Sequence, residues 1–507
     1  MVTSLPVTFS SPFWLLLMMS LLLLMLMLRA FLQWKFRRHS NPATYPLIGC
    51  LLSFYRNRHH LLHWYTDMLS LSPSQTIIIS RFGARRTIVT ANPQNVEYVL
   101  KSNFSNFPKG KPFTEILRDF LGNGIFNVDG DLWYDQRKLA IHQFNARSSL
   151  RNYVERVLKE EVEKKLLPVL ESAAEDKAMV DLQDLLRRLA FDMVCRFALS
   201  YDPGCLELEY KSLGTKHPIV DAFDAASDIC ARRGAAPLSA MWKVKRFFNL
   251  GSEKRLGEAM NRIHQFVNQV IQLRKGSIEL TDESHSHRER DLLSKMVLGG
   301  RGEAVMRDII ISIIMAGRDT TSSAMTWLFH LLAHHPEAEN KVMRELRRIW
   351  GDENSVELET LKGMTWLKSC ICESMRLFPP IAWDSKHAVA DDMLPDGTPV
   401  RAGDRVTYFP YGMGRMERLW GEDRLRFKPE RWASERGVGP YKFPVFQAGP
   451  RVCLGKELAF IQMKYVVGSI MRRFCIRPAN QNHQPVFVPL LTAHMAGGFK
   501  VFVSRRN

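Results

Sequence analysis

The 507-residue sequence has few cysteines, and none of them are paired at the spacing of a metal site or a redox motif. Its eight cysteines are scattered singly, apart from Cys370 and Cys372. This scarcity argues against a zinc module and against a disulfide framework, because both need cysteines at recurring spacings. We therefore expect a protein of a reducing compartment.

Acidic residues are also in short supply, since 52 Asp and Glu stand against 70 Lys and Arg, for a formal net charge of +18. Such an excess favours an acidic partner or an anionic membrane surface. Nucleic acid is the alternative partner, but the basic residues are dispersed and no nucleic-acid-binding motif accompanies them. The sequence therefore predicts no nucleic-acid partner.

Long uncharged apolar runs are absent except for one, over residues 13–28. With the weakly polar residues before it, this run approaches the roughly 20 residues that a bilayer-spanning helix needs. Basic residues follow the run and no charged side chain precedes it, which predicts a cytosolic chain behind one anchor and opposes a cleaved signal peptide. We predict a membrane anchor over residues 1–30, a basic, proline-bearing linker over 31–49 and a catalytic globule over 50–507.

The rest of the chain has mainly helical periodicity. Helices are expected over most of 150–280 and from Glu303 to His335, with a polar loop over 284–290. β-branched runs predict a hairpin over 76–90, and Asn92 with Pro93 predicts the start of a capped helix. Alternating apolar residues over 485–503 predict a terminal hairpin. The expected fold is mainly α with small β-sheets.

One cysteine lies in a glycine-punctuated turn that opens a helix. Cys453 is preceded by Gly449 and Arg451 and followed by Gly455. The amides at a helix start favour a thiolate, and an arginine nearby suits a carboxylate. A thiolate and a carboxylate-binding arginine are what a haem requires, as axial ligand and as propionate partner. The alternative is that Cys453 is a buried structural cysteine with no role beyond packing.

This stretch resembles the haem loop of the cytochrome P450 monooxygenases, whose fixed positions are filled by Phe446, Gly449, Arg451, Cys453, Gly455 and Ala459. The resemblance extends from the anchor to the terminal hairpin. It implies the P450 fold, a haem b held by the Cys453 thiolate, and haem contacts from Arg451, Phe446 and Gly449.

The expected long helix contains a face of small residues around Ala316, Gly317 and Thr320. A glycine inside a helix costs about 1 kcal/mol relative to Ala, which is acceptable where something must approach the backbone closely. The resemblance implies that this object is dioxygen, with Thr320 as its hydrogen-bond donor and Asp319 in a proton relay. Close packing against another helix is the alternative.

Further motifs match the family. The resemblance implies a buried structural network of Glu373, Arg376 and Arg431. It also implies that Trp133 and Arg137 lie beside a haem propionate, whereas the choice between Lys386 and His387 for the second propionate stays open. Because Ala316 stands where some animal relatives carry an ester-forming glutamate, the haem is expected to be bound without a covalent link.

A narrower likeness points to the plant fatty-acid ω-hydroxylase and jasmonoyl–amino-acid hydroxylase branch. It rests on the segments 106–110, 124–130, 383–387, 408–415 and 489–495, whereas residues 140–144 depart from the branch's usual pattern. The residues expected to form an apolar substrate funnel are Phe113, Phe126, Ala316, Ile381, Ala382 and Trp383.

The resemblance implies an endoplasmic-reticulum monooxygenase that receives electrons from NADPH through cytochrome P450 reductase. Its substrate would be a small lipophilic molecule hydroxylated at a terminal carbon: a fatty acid or a jasmonoyl–amino acid, with a sterol side-chain end as the alternative. Two rival classes are an enzyme that rearranges hydroperoxides without dioxygen and a non-catalytic haem or lipid binder.

Overall fold

The computed structural model describes residues 18–25, 27, 42, 44–45, 48–206, 217–236, 239–280, 291–351, 356–433, 437–482 and 484–506. The predicted loop over 284–290 lies outside these residues, as do most of the predicted anchor and linker. Residues 18–25 are helical and exposed. Among the described residues, no helix is long and apolar enough to cross a bilayer.

Helices make up most of the described chain. The α-helices are Leu51–Arg56, Leu61–Leu71, Pro93–Glu97, Lys111–Leu121, Gly130–Asn145, Arg147–Asn152, Leu167–Glu175, Leu182–Leu199, Pro218–Ala235, Ser239–Phe247, Ser252–Glu279, Leu292–Leu298, Glu303–His334, Pro336–Ile349, Leu358–Gly363, Thr365–Leu377, Pro410–Met413, Glu417–Trp420 and Lys456–Arg473. The π-helical stretches are Tyr98–Ser102, Tyr153–Leu158 and Glu160–Leu166, and the 3₁₀ turns are Phe104–Asn106, Pro429–Trp432, Pro444–Phe446 and Gly449–Arg451.

The strands are short. They are β1 (Thr76–Ile79), β2 (Thr87–Thr90), β3 (Met179–Asp181), β4 (Asp384–His387), β5 (Asp392–Met393), β6 (Pro399–Val400), β7 (Arg405–Tyr408), β8 (Phe474–Pro478), β9 (Phe487–Val488), β10 (His494–Met495) and β11 (Lys500–Arg505). They form a four-stranded sheet of order β1-β2-β7-β4, a three-stranded sheet β3-β11-β8 and two two-stranded ribbons.

The predicted hairpin, helix start and long helix are confirmed. β1 and β2 pair antiparallel from Thr76 opposite Thr90, and the Asn92 side chain accepts a hydrogen bond from the Gln94 amide. The long helix spans Glu303–His334. Pro336, which lacks an amide hydrogen, then opens the next helix in its first turn.

The terminal hairpin is only partly as predicted. β9 and β10 pair with each other, but β11 pairs with β8 and with β3. β3 is a strand inside the region predicted to be mostly helical. Its partner lies more than 300 residues away, so local periodicity carries no signal for it.

The main core surrounds the long helix, which packs along its length against the helix Leu182–Leu199. Trp327 of the long helix is fully buried and stacks on Phe378 with ring centroids 4.0 Å apart. A second core cluster lies against the four-stranded sheet. One large cavity lies between the long helix, that sheet and the Cys453 turn.

Candidate active site

The Cys453 turn is held by backbone contacts that only glycine permits at one position. Gly449 has a φ of +64°, and a Cβ there would lie 2.0 Å from the carbonyl oxygen of Leu100. The Cys453 amide donates to the carbonyl of Phe446 at 2.8 Å, which closes the turn. Gly455 differs, since its φ is −86° and a Cβ there would make only ordinary contact with Phe144. Steric constraint on this turn therefore falls on Gly449.

The Cys453 thiol faces the cavity and is exposed to it, whereas the other cysteines are buried or half-buried. Surrounding protein raises the pKa of the thiol, while the Gly455 amide, Arg137 and Lys456 act in the opposite direction. The helix Lys456–Arg473 begins three residues later. The amides and cations around the sulfur are those that suit a thiolate.

The long helix presents its small face to the same cavity. Ile313, Ala316, Gly317, Thr320 and Ala324 all line it, as helical spacing predicted. Side chains of the long helix and of the Cys453 turn therefore form walls of the same cavity.

Gly317 has a second neighbour besides the cavity. A Cβ at this position would lie 2.5 Å from Cγ2 of Val194, on the helix Leu182–Leu199. Close helix packing, which was the alternative interpretation of the small face, therefore applies to this residue.

Thr320 and Asp319 have different surroundings. The Thr320 hydroxyl lines the cavity and donates to the carbonyl of Ala316 at 2.6 Å. Asp319 points away from the cavity and lies 3.2 Å from the guanidinium of Arg318, which also pairs with Asp224 at 2.5 Å. Burial raises the pKa of Asp319, and Arg318 opposes this rise.

Two arginines and a tryptophan form one edge of the cavity. Arg451 donates to Asp129 at 2.7 Å and to the Val128 carbonyl, and its guanidinium lies 4.5 Å from the Trp133 ring centre. Arg137 lies 5.8 Å from the same ring and donates to the Val452 carbonyl. Phe446 completes the turn with its ring 5.2 Å from that of Phe460.

The structure separates Lys386 from His387. Lys386 donates to Asp384 at 3.0 Å, and burial lowers the pKa of this lysine to about 7. His387 bonds the Lys109 carbonyl through Nδ1, while its buried Nε2 has no partner among the described residues. Of these two candidates, His387 is therefore the one with a free nitrogen.

Asp384 is the only acidic residue among the described ones that line the cavity, and it is fully engaged. It accepts hydrogen bonds from Lys109 at 2.7 Å, from Lys386, from Tyr408 and from Gln447. Lys109 and Lys386 hold the pKa of Asp384 well below its usual range, against the effect of burial. Sequence reasoning missed Lys109, whose partner is 275 residues away in the chain.

The three residues of the predicted network are in contact; Glu373 and Arg376 are buried and Arg431 is half-buried. Glu373 lies 2.8 Å from Arg376 and 3.2 Å from Arg431, and it also accepts from the indole of Trp432. None of the predicted three lines the cavity. The arrangement is that of a structural brace.

Five of the six expected funnel residues line the cavity: Phe113, Phe126, Ala316, Ile381 and Trp383. Ala382 does not, and its assignment to the funnel is wrong. Its side chain is buried in the second core cluster. Its neighbours Ile381 and Trp383 line the cavity, so within this segment only Ala382 is turned into the core.

The residues around the cavity fit a haem. Cys453 offers a sulfur ligand exposed to the space. The buried Nε of Arg451 is a donor without a partner in the described part of the chain, and Nε2 of His387 is also unpaired. Because Nδ1 of His387 donates to a carbonyl, Nε2 can donate only when the ring is protonated. Unpaired cationic or donor groups beside a thiol are suited to a metal macrocycle that carries carboxylates.

Comparison with known proteins gives the same family in two ways. Residues 40–495 match the model of the family described as Cytochrome P450. The chain is 55% identical over 480 residues to Cytochrome P450 94B1 of Arabidopsis thaliana, covering 92% of each chain. It is 53% identical to Cytochrome P450 94B3 of the same plant, with 92% of each chain covered. It is also 41% identical to Cytochrome P450 94A1 of Vicia sativa, covering 92% and 91%.

Proposed function

The chain belongs to the cytochrome P450 family and is one of its monooxygenases, and from this premise we propose that it hydroxylates the terminal carbon of a lipid-like substrate. The substrates we favour are fatty acids and jasmonoyl–amino acids. The observation that carries the proposal is the cavity, in which an apolar wall leads to the thiol of Cys453 and the hydroxyl of Thr320.

The orientation of the substrate in the cavity must decide which carbon is hydroxylated. A terminal C–H bond is stronger than its neighbours, so intrinsic reactivity favours internal carbons. A cavity that admits only the chain end overcomes this preference by orientation. Phe113, Phe126, Ile381 and Trp383 supply apolar and aromatic surface for such a chain.

Haem bound at Cys453 supplies the activation of dioxygen. The residues that would hold it are Cys453, Arg451, Trp133, Arg137 and His387. Position 316 is an alanine, which has no carboxylate to form an ester. We therefore propose that the haem is held without a covalent bond to the protein.

Thr320 and Asp319 would deliver protons to the cavity. The single hydroxyl proton of Thr320 is donated to Ala316, so Thr320 must rotate to donate into the cavity. The raised pKa of Asp319 makes this buried carboxyl easier to protonate, which suits a proton carrier.

The proposed electron donor is NADPH–cytochrome P450 reductase, and the proposed location is the endoplasmic-reticulum membrane with the catalytic domain in the cytosol. The net charge of +18 supports both, because an acidic reductase domain and anionic lipid headgroups would each attract a basic surface.

The test is to incubate the purified holoenzyme with reductase, NADPH and a panel of fatty acids, jasmonoyl–amino acids and sterols, and to identify products by mass spectrometry. Terminally hydroxylated acids are expected. Products hydroxylated mainly in mid-chain would contradict the proposal. Conversion of a fatty-acid hydroperoxide into its own isomer, without NADPH and without oxidation of a second substrate, would favour the rearrangement class. Ligand binding without product would favour a binder.

A further inference from the structure

One face of the four-stranded sheet forms a wall of the cavity. The register places Ile79 opposite Thr87, Thr87 opposite Arg405 and Arg405 opposite His387. All four side chains line the cavity. Because residues opposite one another in a sheet project from the same face, this wall carries a cation at its centre.

Arg405 lacks a counter-ion there. Its buried Nε has no hydrogen-bond partner, and it forms no ion pair, among the described residues. The preceding Asp404 is already engaged, since it pairs with Arg86 and accepts from the Arg401 amide at 2.8 Å. Burial lowers the pKa of Arg405, and the positive charges of Arg81 and Arg85 add to this effect.

Arg81 lines the same cavity, close enough for its charge to act on Arg405. Its guanidinium carbon is 3.9 Å from the ring centre of Phe54, and both residues line the cavity together with Tyr65. Nη1 of Arg81 is buried and also has no partner within the described ranges. Both arginines thus line one cavity, and each has a buried donor without a partner in the described part of the chain.

Within the described ranges, no carboxylate forms an ion pair with Arg81 or Arg405. The only acid of the described lining, Asp384, is bound to Lys109 and Lys386. A buried cation without a partner is costly, and an arginine suits bidentate binding of a carboxylate.

We propose that Arg81 and Arg405 bind the carboxylate of the substrate at the wall of the cavity formed by the four-stranded sheet. This inference rests on the proposed function in that both use the same cavity. It assigns a substrate class: amphipathic acids, such as fatty acids or jasmonoyl–amino acids, in preference to uncharged sterols.

The experiment compares an acid with its methyl ester. Dissociation constants of dodecanoic acid and methyl dodecanoate are measured on the holoenzyme from the change in haem absorbance. The same pair is measured for jasmonoyl–isoleucine and its methyl ester. The wild-type protein is expected to bind at least one acid more tightly than the ester of that acid.

Arg405→Gln and Arg81→Gln are expected to weaken binding of the acid about tenfold or more, which corresponds to the loss of one charged hydrogen bond. Binding of the ester should be nearly unchanged. Arg405→Lys should restore part of the preference, because it keeps the charge but loses the planar fork.

Arg85→Gln is the matched control. Arg85 lies in the same turn region and carries the same charge, but it is exposed and does not line the cavity. Its charge acts on Arg405 only through space, so Arg85→Gln should weaken binding of the acid far less than Arg405→Gln does and should leave binding of the ester unchanged. An equal loss in both variants would indicate a general effect of net charge.

Three outcomes would overturn the inference: no preference of the wild-type protein for either acid, equal losses for acid and ester, or loss of bound haem in Arg405→Gln and Arg81→Gln. The last would assign the arginines to the haem. The position of hydroxylation is a separate measurement, so the carboxylate site can fail while terminal attack stands, or the reverse.

Discussion

At the residue scale, Thr320 is distinguished by where its hydroxyl lies rather than by how it is bonded. Thr326 of the same helix makes the same kind of bond, to the Ser322 carbonyl at 2.8 Å, but is buried away from the cavity. Comparing substitutions of Thr320 and Thr326 therefore distinguishes a role in proton delivery from a role in helix structure.

We expect Thr320→Ala to lower the product formed per NADPH consumed by about tenfold or more, because a positioned proton donor is lost. NADPH consumption itself should continue. The measurement is product and NADPH in the same reaction with reductase. Thr326→Ala should leave the ratio unchanged, and an equal loss in both variants would assign Thr320 a merely structural role.

Two cysteines, Cys230 and Cys453, line the cavity, and of these Cys453 is exposed whereas Cys230 is buried. We expect Cys453→Ala to abolish the thiolate-type absorbance of the reduced carbon-monoxide complex, since that band needs a sulfur ligand. Cys475→Ala, at a half-buried position away from the cavity, should keep it. Survival of the band in Cys453→Ala would show that the ligand is elsewhere.

At the element scale, the long helix and the helix Leu182–Leu199 are fitted together at Gly317 and Val194. We expect Gly317→Ala to destabilise the protein by about 1–3 kcal/mol through overpacking, despite the better helix propensity of alanine. Gly276→Ala is the control, because nothing lies within 4 Å of a Cβ there. It should instead stabilise by up to about 1 kcal/mol.

Removing the partner side chain should relieve the clash. In denaturant unfolding, Gly317→Ala combined with Val194→Ala should be more stable than the sum of the two single effects. Strict additivity would mean that these two residues do not limit how closely the helices approach.

The Glu373 network joins the helix Thr365–Leu377 to the turn Pro429–Trp432. Glu373→Ala leaves two arginines without their buried partner and is expected to cost about 3–5 kcal/mol in free energy of unfolding. The control is Glu430→Ala, which removes the exposed ion pair with Lys341 (2.6 Å) and should cost less than about 1 kcal/mol. Similar losses in both would argue against a structural brace.

Elements defined by local sequence were predictable. The hairpin of β1 and β2, the Asn92 cap and the small face of the long helix follow from turn chemistry and periodicity. Arg81 and Arg405 could not be found in this way. They approach because β2 pairs in parallel with β7, which joins positions more than 300 residues apart.

Ala382 shows a second limit of sequence reasoning. A substrate-facing segment could be located from its resemblance, but one of its side chains packs into the second core cluster instead of the cavity. Which side chain does so depends on contacts with residues distant in the chain, such as those of the four-stranded sheet, and local sequence carries no signal for these contacts.

At the scale of the whole molecule, the excess of positive charge is spread over the entire sequence instead of one motif. A net charge of +18 creates an attractive field for an acidic partner beyond individual contacts. Salt weakens such a field, since the screening length falls from about 10 Å at 0.1 M to about 3 Å at 1 M ionic strength. Cavity chemistry, which is shielded by protein, should be far less sensitive.

This difference gives a prediction with an internal control. The rate of NADPH-dependent turnover at limiting reductase should fall several-fold between low salt and about 0.5 M salt, because electrostatically steered association slows. Turnover supported by an organic hydroperoxide needs no reductase and should stay nearly constant over the same range. Both are measured in detergent without anionic lipid, so that membrane attraction does not contribute. If both activities fell in parallel, salt would be acting on the enzyme itself, and the basic surface would have no part in recruiting the reductase.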